Sequence, residues 1–170
     1  MARLLDAFHR WLLYLGAVFM VATLVAILLG VAGRQFGFSI PGLDAYAGYS
    51  VAAALFLALP ATLRNGDHIR VTLVLNRLTG TARKILEYWC LLAASGIAVY
   101  LAYYAVRLVW ISHVTDDVSP ASDATPLWIP QLAMAIGCVG LAMAFLEDLL
   151  RKVAARERVV EQPSELVRVE

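Results

Sequence analysis

Four runs of 19 to 23 residues contain no Asp, Glu, Lys, Arg or His, and they constrain this chain more than any other feature: residues 11–33, 45–63, 88–106 and 124–146. At about 1.5 Å per residue the shortest run reaches roughly 28 Å, close to the ~30 Å hydrocarbon thickness of a bilayer. Backbone amides cannot be left unpaired in hydrocarbon, so each run must satisfy its own hydrogen bonds as a helix. Composition agrees: 61% of the 170 residues are hydrophobic, 16% are charged and the mean hydropathy is +0.73, outside the range of a soluble globular domain. The expected fold is an all-α membrane protein with four transmembrane helices. It forms a single domain over residues 1–150, followed by a tail over 151–170.

The charges lie between the runs. Twelve of the fourteen Lys and Arg fall in the amino-terminal segment, the central loop and the carboxyl-terminal tail, and only Arg34 and Arg107 in the other two loops. The positive-inside bias therefore predicts that both termini are cytoplasmic. Arg3 and Arg10 precede the first run as they would in a signal peptide. That run is longer than the usual h-region of ~7–15 residues and no A-x-A site ends it, so it is expected to be an uncleaved anchor.

The central stretch, residues 64–87, surrounds Ile69, Val71, Leu73, Val74, Leu75 and Leu78 with Arg64, Arg70, Arg77, Arg83 and Lys84. That mixture suits the surface of a membrane. Alternation at 69, 71, 73 and 75 also fits a strand, but an open strand edge beside lipid leaves polar groups unpaired and Gly80 ends the run as a helix stop would. A short amphipathic interfacial helix is expected there.

Two prolines lie within the runs. Pro60 predicts a bend near the cytoplasmic end of the second. In Thr125-Pro126-Leu127-Trp128-Ile129-Pro130, Thr125 suits a cap and Pro126 the first helical position, with the helix starting or bending near Pro130 and Trp128 at the water interface. Small residues recur at every fourth position: Ala22, Ala26 and Gly30; Ser50, Ala54, Ala58 and Thr62; Ala94, Ala98 and Ala102; Gly140 and Ala144. Such stripes let helix backbones approach closely, either within the chain or against a helical partner.

The chemistry this chain lacks narrows its function. Proton relays and ion-coupled sites need ionisable groups at membrane depth, and none of the four runs has one. His9 and His68 fall on the cytoplasmic side and His113 on the outer side, which does not suit haem ligation between spans. Cys90 and Cys138 are too few for a disulfide framework or a paired-ligand zinc site. No nucleophile with its base, phosphate-binding glycine loop or HExxH pattern is present, so no enzyme activity is expected. Asp116, Asp117 and Asp123 lack EF-hand spacing and read as a solvated loop. A net charge of +1 leaves no basic face for nucleic acid. His68, beside Asp67 and Arg70, reads as a hydrogen-bonding or lipid-headgroup contact. Arg34 and Asp44 flank the first outer loop, where they set the ends of the spans and could pair.

Several short motifs, in order, carry a resemblance. Gly33-Arg34-Gln35-Phe36-Gly37 ends the first run, Pro41-Gly42-Leu43-Asp44 opens the second, and Leu63-Arg64-Asn65-Gly66-Asp67-His68-Ile69-Arg70-Val71 follows it. Pro126-Leu127-Trp128-Ile129-Pro130-Gln131 opens the fourth. Over roughly residues 10 to 150 the chain resembles the small, DctQ-like membrane subunit of tripartite ATP-independent periplasmic (TRAP) transporters. The resemblance implies a bacterial or archaeal inner-membrane protein that braces a large multispanning permease subunit. That subunit would hold the substrate and sodium sites, and a periplasmic binding protein would deliver an organic acid such as a C4-dicarboxylate. No cofactor is implied for this chain, since sodium coupling belongs to the large subunit. Residues expected to serve subunit contact or membrane anchoring are Arg34, Asp44, Arg64, His68, Arg70, Trp128 and Pro130. Thr72 stands where many members of that family carry an acidic residue, so no subgroup or solute is assigned. Two rival readings make different predictions: a free-standing four-helix redox anchor or enzyme would bind haem or quinone or turn over alone, and a self-assembling channel or exporter would conduct without partners.

Overall fold

A computed structural model of the chain describes residues 2–64, 81–121 and 124–161, with side chains described over 5–63, 85–121 and 124–153. Among the described residues there are four helices and no strand: α1 (Ala2–Phe36), α2 (Leu43–Arg64), α3 (Thr81–Val114) and α4 (Trp128–Glu161). All four are long and apolar enough to cross a membrane, over Leu5–Phe36, Leu43–Leu63, Ile85–Val114 and Trp128–Val153. At 1.5 Å per residue, the 34 residues of α3 make a rod of about 50 Å. α1, α3 and α4 therefore outreach the hydrocarbon, and their charged ends continue as helix beyond the runs that the sequence marks.

Helix order in space is not chain order. α1 packs on α2, α2 on α4, and α4 on α3, so the protein is a layer with α1 and α3 at its edges. Burial follows that order. The most apolar windows of the edge helices are 17% buried each, whereas those of α2 and α4, covered on two sides, are 33% and 39% buried.

Each edge helix buries one narrow stripe. In α1 it consists of His9, Leu12, Gly16, Phe19, Thr23, Ala26, Gly30 and Gly33, and in α3 of Leu91, Ser95, Ala98, Ala102, Ala105, Val109 and Ser112. The steps alternate between three and four residues, the repeat that keeps a seam facing a neighbour in left-handed helix packing. The expected stripe at Ala22, Ala26 and Gly30 is correct only in part. Ala22 is exposed and Thr23 turns inward, with its hydroxyl donating to the Phe19 carbonyl at 2.9 Å. Ala54, Ala98, Ala102, Gly140 and Ala144 are buried as expected.

The seam between α2 and α4 is the closest. At Gly137 a Cβ would run into the carbonyl group of Phe56, with Phe56 Cβ at 2.9 Å, and at Gly140 it would meet Leu12 Cδ1 at 2.8 Å and Pro60 Cγ at 2.9 Å. Pro60, fully buried, thus presses its ring on a glycine of the neighbouring helix. α2 is helical on both sides of it.

Two expectations change. Residues 81–87, counted with the central loop, are the first two turns of α3. Residues 65–80, where the interfacial helix was expected, lie outside the described residues, as do His68, Arg70 and Thr72. The fourth helix begins at Trp128, close to Pro130 as one of the expected starts had it and not at 124, because the segment before it is held as extended chain: Val118 and Pro126 form an antiparallel bridge, the Ser119 amide donates to the Thr125 carbonyl at 2.8 Å and the Leu127 amide to the Asp117 carbonyl at 2.9 Å. Thr125 is therefore not the cap. Leu127 is, since its carbonyl accepts the Gln131 amide at 3.3 Å. Pro130 falls in the first turn, where its missing N–H would have had no partner in the helix.

Candidate functional site

The residues singled out in the sequence divide between the helix ends at the α1–α2 and α3–α4 connections and the central loop. At the end of α1, Gly37 takes φ +75° and the Phe38 amide donates to the Gly33 carbonyl at 3.0 Å, a Schellman closure in which glycine supplies the left-handed residue. Arg34 lies in that last turn. Its Nε donates to the Gly30 carbonyl at 3.3 Å, which keeps the cation in the last turn, at the negative end of the helix. Asp44 lies in the first turn of α2, where an anion meets free amide groups. Both line one recess with Phe38, Ile40 and Leu43. No ion pair joins them, so each serves its own helix end.

The loop between α3 and α4 is fastened to α2 by two tyrosines. Tyr49 Oη donates to Ser119 Oγ at 2.8 Å, and Tyr46 Oη lies 3.2 Å from Thr125 Oγ1. The two rings meet edge to face at 6.2 Å. Ser119 is buried, and its Oγ also accepts the Ala121 amide at 3.2 Å. Asp116, at φ +50°, ends α3 in the same way as Gly37 ends α1, with the Asp117 amide donating to the Ser112 carbonyl at 3.1 Å. Trp128 stacks edge to face on His113 at 5.3 Å, so the first turn of α4 is held against the last turn of α3. Gln131, which closes the motif around Trp128 and Pro130, buries its Oε1 without a hydrogen-bond partner among the described residues.

At the other end of the layer, α3 and α4 are joined by an ion pair, Lys152 Nζ to Glu87 Oε2 at 2.8 Å, and by Tyr88 Oη donating to the Lys152 carbonyl at 3.2 Å. The Lys152 ammonium also stands 5.2 Å from the centre of the Tyr88 ring. Arg64 ends α2.

Sequence reasoning missed three of these. His9, expected only as a residue of the cytoplasmic side, is buried in α1, with Nδ1 2.6 Å from the Leu5 carbonyl and Nε2 3.3 Å from the Gly140 carbonyl of α4. Its signal was its phase, three residues before Leu12 in the inward repeat. The Tyr46 and Tyr49 clasp had no local signal, because its partners lie 70 or more residues away. The Glu87 and Lys152 pair likewise had no local signal, because the two lie 65 residues apart.

A family model, the DctQ component of tripartite ATP-independent periplasmic transporters, matches residues 20–155. This chain belongs to that family. The match takes in the second half of α1, all of α2 and α3 and most of α4, including each span-end motif described above. As a DctQ-family chain it is a small permease subunit of a TRAP transporter and a multi-pass membrane protein, and the family is a transporter component, not an enzyme family. No curated protein and no solved structure matches.

Proposed function

We propose that this DctQ-family chain is the scaffold subunit of a sodium-driven system for uptake of an organic acid. It braces the large permease subunit, which holds the substrate and sodium sites, while a periplasmic binding protein delivers the solute. The match of the family model across 20–155 carries the reading. The packing supports it. The described seams between spans are filled mainly by small or aliphatic residues such as Ala54, Leu57, Ala98, Ala135 and Cys138, with His9, Thr23, Ser95 and Ser112 as buried polar groups beside them, a set suited to fixing helices.

In this reading both termini lie in the cytoplasm and the layer stands in the inner membrane of a bacterium or archaeon. Arg34, Asp44, Trp128 and Pro130 on the outer side, and Arg64, His68 and Arg70 on the inner, anchor the spans and contact the large subunit. The chain itself carries no cofactor. Vesicles containing the large subunit, this chain and the binding protein should accumulate the acid under an inward sodium gradient, and vesicles lacking this chain should not. Accumulation of an organic acid by this chain alone would overturn the proposal.

A further inference from the structure

His9 is a titratable group that the layer encloses: it is 3% exposed, whereas His113, in the last turn of α3, is exposed. Its ring forms a polar link from α1 past α2 to α4. Nδ1 lies 2.6 Å from the Leu5 carbonyl oxygen, one turn back in the same helix, and Nε2 lies 3.3 Å from the Gly140 carbonyl oxygen of α4. The place is tight. A Cβ at Gly140 would meet Leu12 Cδ1 at 2.8 Å and Pro60 Cγ at 2.9 Å, so α1, α2 and α4 meet there because residue 140 has no side chain.

A carbonyl oxygen only accepts, so a ring nitrogen that faces one is satisfied when it carries hydrogen. Neutral imidazole has one N–H and imidazolium has two. With its hydrogen on Nδ1, toward the shorter contact, the neutral ring turns the Nε2 lone pair onto the lone pairs of the Gly140 oxygen. With the hydrogen on Nε2, the same conflict moves to Leu5. The doubly protonated ring donates at both ends, and hydrogen bonds from a charged donor are the stronger kind. Charged groups on the neighbouring helices are arranged as follows. Asp6 stands one turn before His9 on α1, and Arg10, the next residue, is exposed. On α4, Glu147 and Asp148 lie two turns beyond Gly140, followed by Arg151, paired with Glu147, and Lys152, paired with Glu87 of α3. α2 carries charge only at its two ends, Asp44 and Arg64.

The geometry points to a proton-dependent latch: as imidazolium, His9 ties the amino-terminal end of α1 to α4 through both ring N–H groups, and on losing one proton it lets go of Gly140. The inference does not depend on the function proposed above, whose topology adds only that the latch senses the cytoplasmic side. The closed form holds a proton that the open form lacks, so acid closes the latch and rising pH opens it. Release has a limited reach. From Gly16 onward α1 stays against α2, where a Cβ at 16 would lie 3.2 Å from the Ala54 carbonyl oxygen, so opening loosens the first turns of α1 and leaves the seam of α2 with α4 in place.

The test places the full chain in lipid nanodiscs with its three histidines labelled with nitrogen-15. The His9 signals are those missing from His9→Asn. At about pH 6 both ring nitrogens of His9 should carry protons that exchange slowly with water, and at about pH 8.5 one of the two should be bare. Thermal midpoints of wild type and His9→Asn are compared at the same two pH values, so that the titration of every other group cancels in the difference. The lead of wild type over the variant should be about 3–6 °C greater at the lower pH, as expected for one charge-assisted hydrogen bond in a chain of this size. If His9→Asn does not fold, His68→Asn and His113→Asn assign the His9 signals by elimination, and the wild-type spectrum decides. A His9 ring that is neutral wherever the chain is folded would overturn the latch. So would a ring doubly protonated at both pH values, or a midpoint difference that does not change with pH.

Discussion

The seam between α2 and α4 predicts that a single methyl group will separate three glycines of similar sequence context. Gly137→Ala places Cβ against the Phe56 carbonyl group and within 2.9 Å of Phe56 Cβ, where backbone cannot swing aside. Restoring ordinary contact requires the helices to part by about 1 Å, a gap that forfeits a quarter to a half of each dispersion contact along the seam. Overpacking of this kind costs about 1–3 kcal/mol, and the better helix propensity of alanine returns at most about 1 kcal/mol. A net loss of up to about 2 kcal/mol is expected. Gly16→Ala brings Cβ to 3.2 Å from the Ala54 carbonyl oxygen, tight but adjustable, so the two terms should nearly cancel. Gly96→Ala meets nothing within 4 Å, leaving propensity alone and a gain of up to about 1 kcal/mol. Thermal unfolding of the purified chain in one detergent, followed by circular dichroism, ranks the three. The order should be Gly96→Ala, then wild type with Gly16→Ala, then Gly137→Ala lowest. A Gly137→Ala protein as stable as wild type would refute the close approach of α2 and α4.

The other predictions concern the connections that join α1 to α2 and α3 to α4. Tyr49→Phe removes the hydroxyl that donates to buried Ser119 and should destabilise the loop by about 1 kcal/mol, seen as about fivefold faster hydrogen exchange at the Ser119 and Leu127 amides. Unchanged exchange there would mean that the clasp does not hold the loop. Gly37→Ala forces a Cβ into the left-handed conformation that ends α1, at a cost of about 1 kcal/mol, while Gly37→Asn should cost less because asparagine tolerates that region. Equal midpoints for the two variants would refute the argument.

Much of the fold was legible because hydrocarbon imposes a simple rule on a chain: a long uncharged run must pair its own backbone, and four such runs make four helices. The order of the helices was not legible. It depends on contacts such as Gly137 with Phe56 and His9 with Gly140, and nothing local distinguishes a glycine facing another helix from an exposed one such as Gly96. Spacing carried part of the missing information. Ala22, Ala26 and Gly30 fit a period of four, but the longer run from His9 to Gly33 alternates three and four, and only that alternation keeps a whole helix in register with a neighbour. Span boundaries failed where tertiary pairing overrode local preference. Thr125 and Pro126 have the chemistry of a helix start, yet their backbone is committed to Val118 and Ser119 across the loop.

The layered arrangement separates two sets of residues that composition alone would merge. The glycines and alanines of α2 and α4 are enclosed on two sides, so substitutions there act on stability, whatever the chain binds. Tyr100, Tyr103 and Tyr104 of α3 lie on its exposed face, with Tyr100 65% and Tyr103 62% exposed, so removing their hydroxyls leaves the seams intact. If both sets served to hold this chain together, stability would fall across the variants of each. The geometry demands that they diverge in stability: Gly137→Ala should lower the thermal midpoint of the isolated chain, whereas the triple variant Tyr100→Phe, Tyr103→Phe, Tyr104→Phe should leave it unchanged.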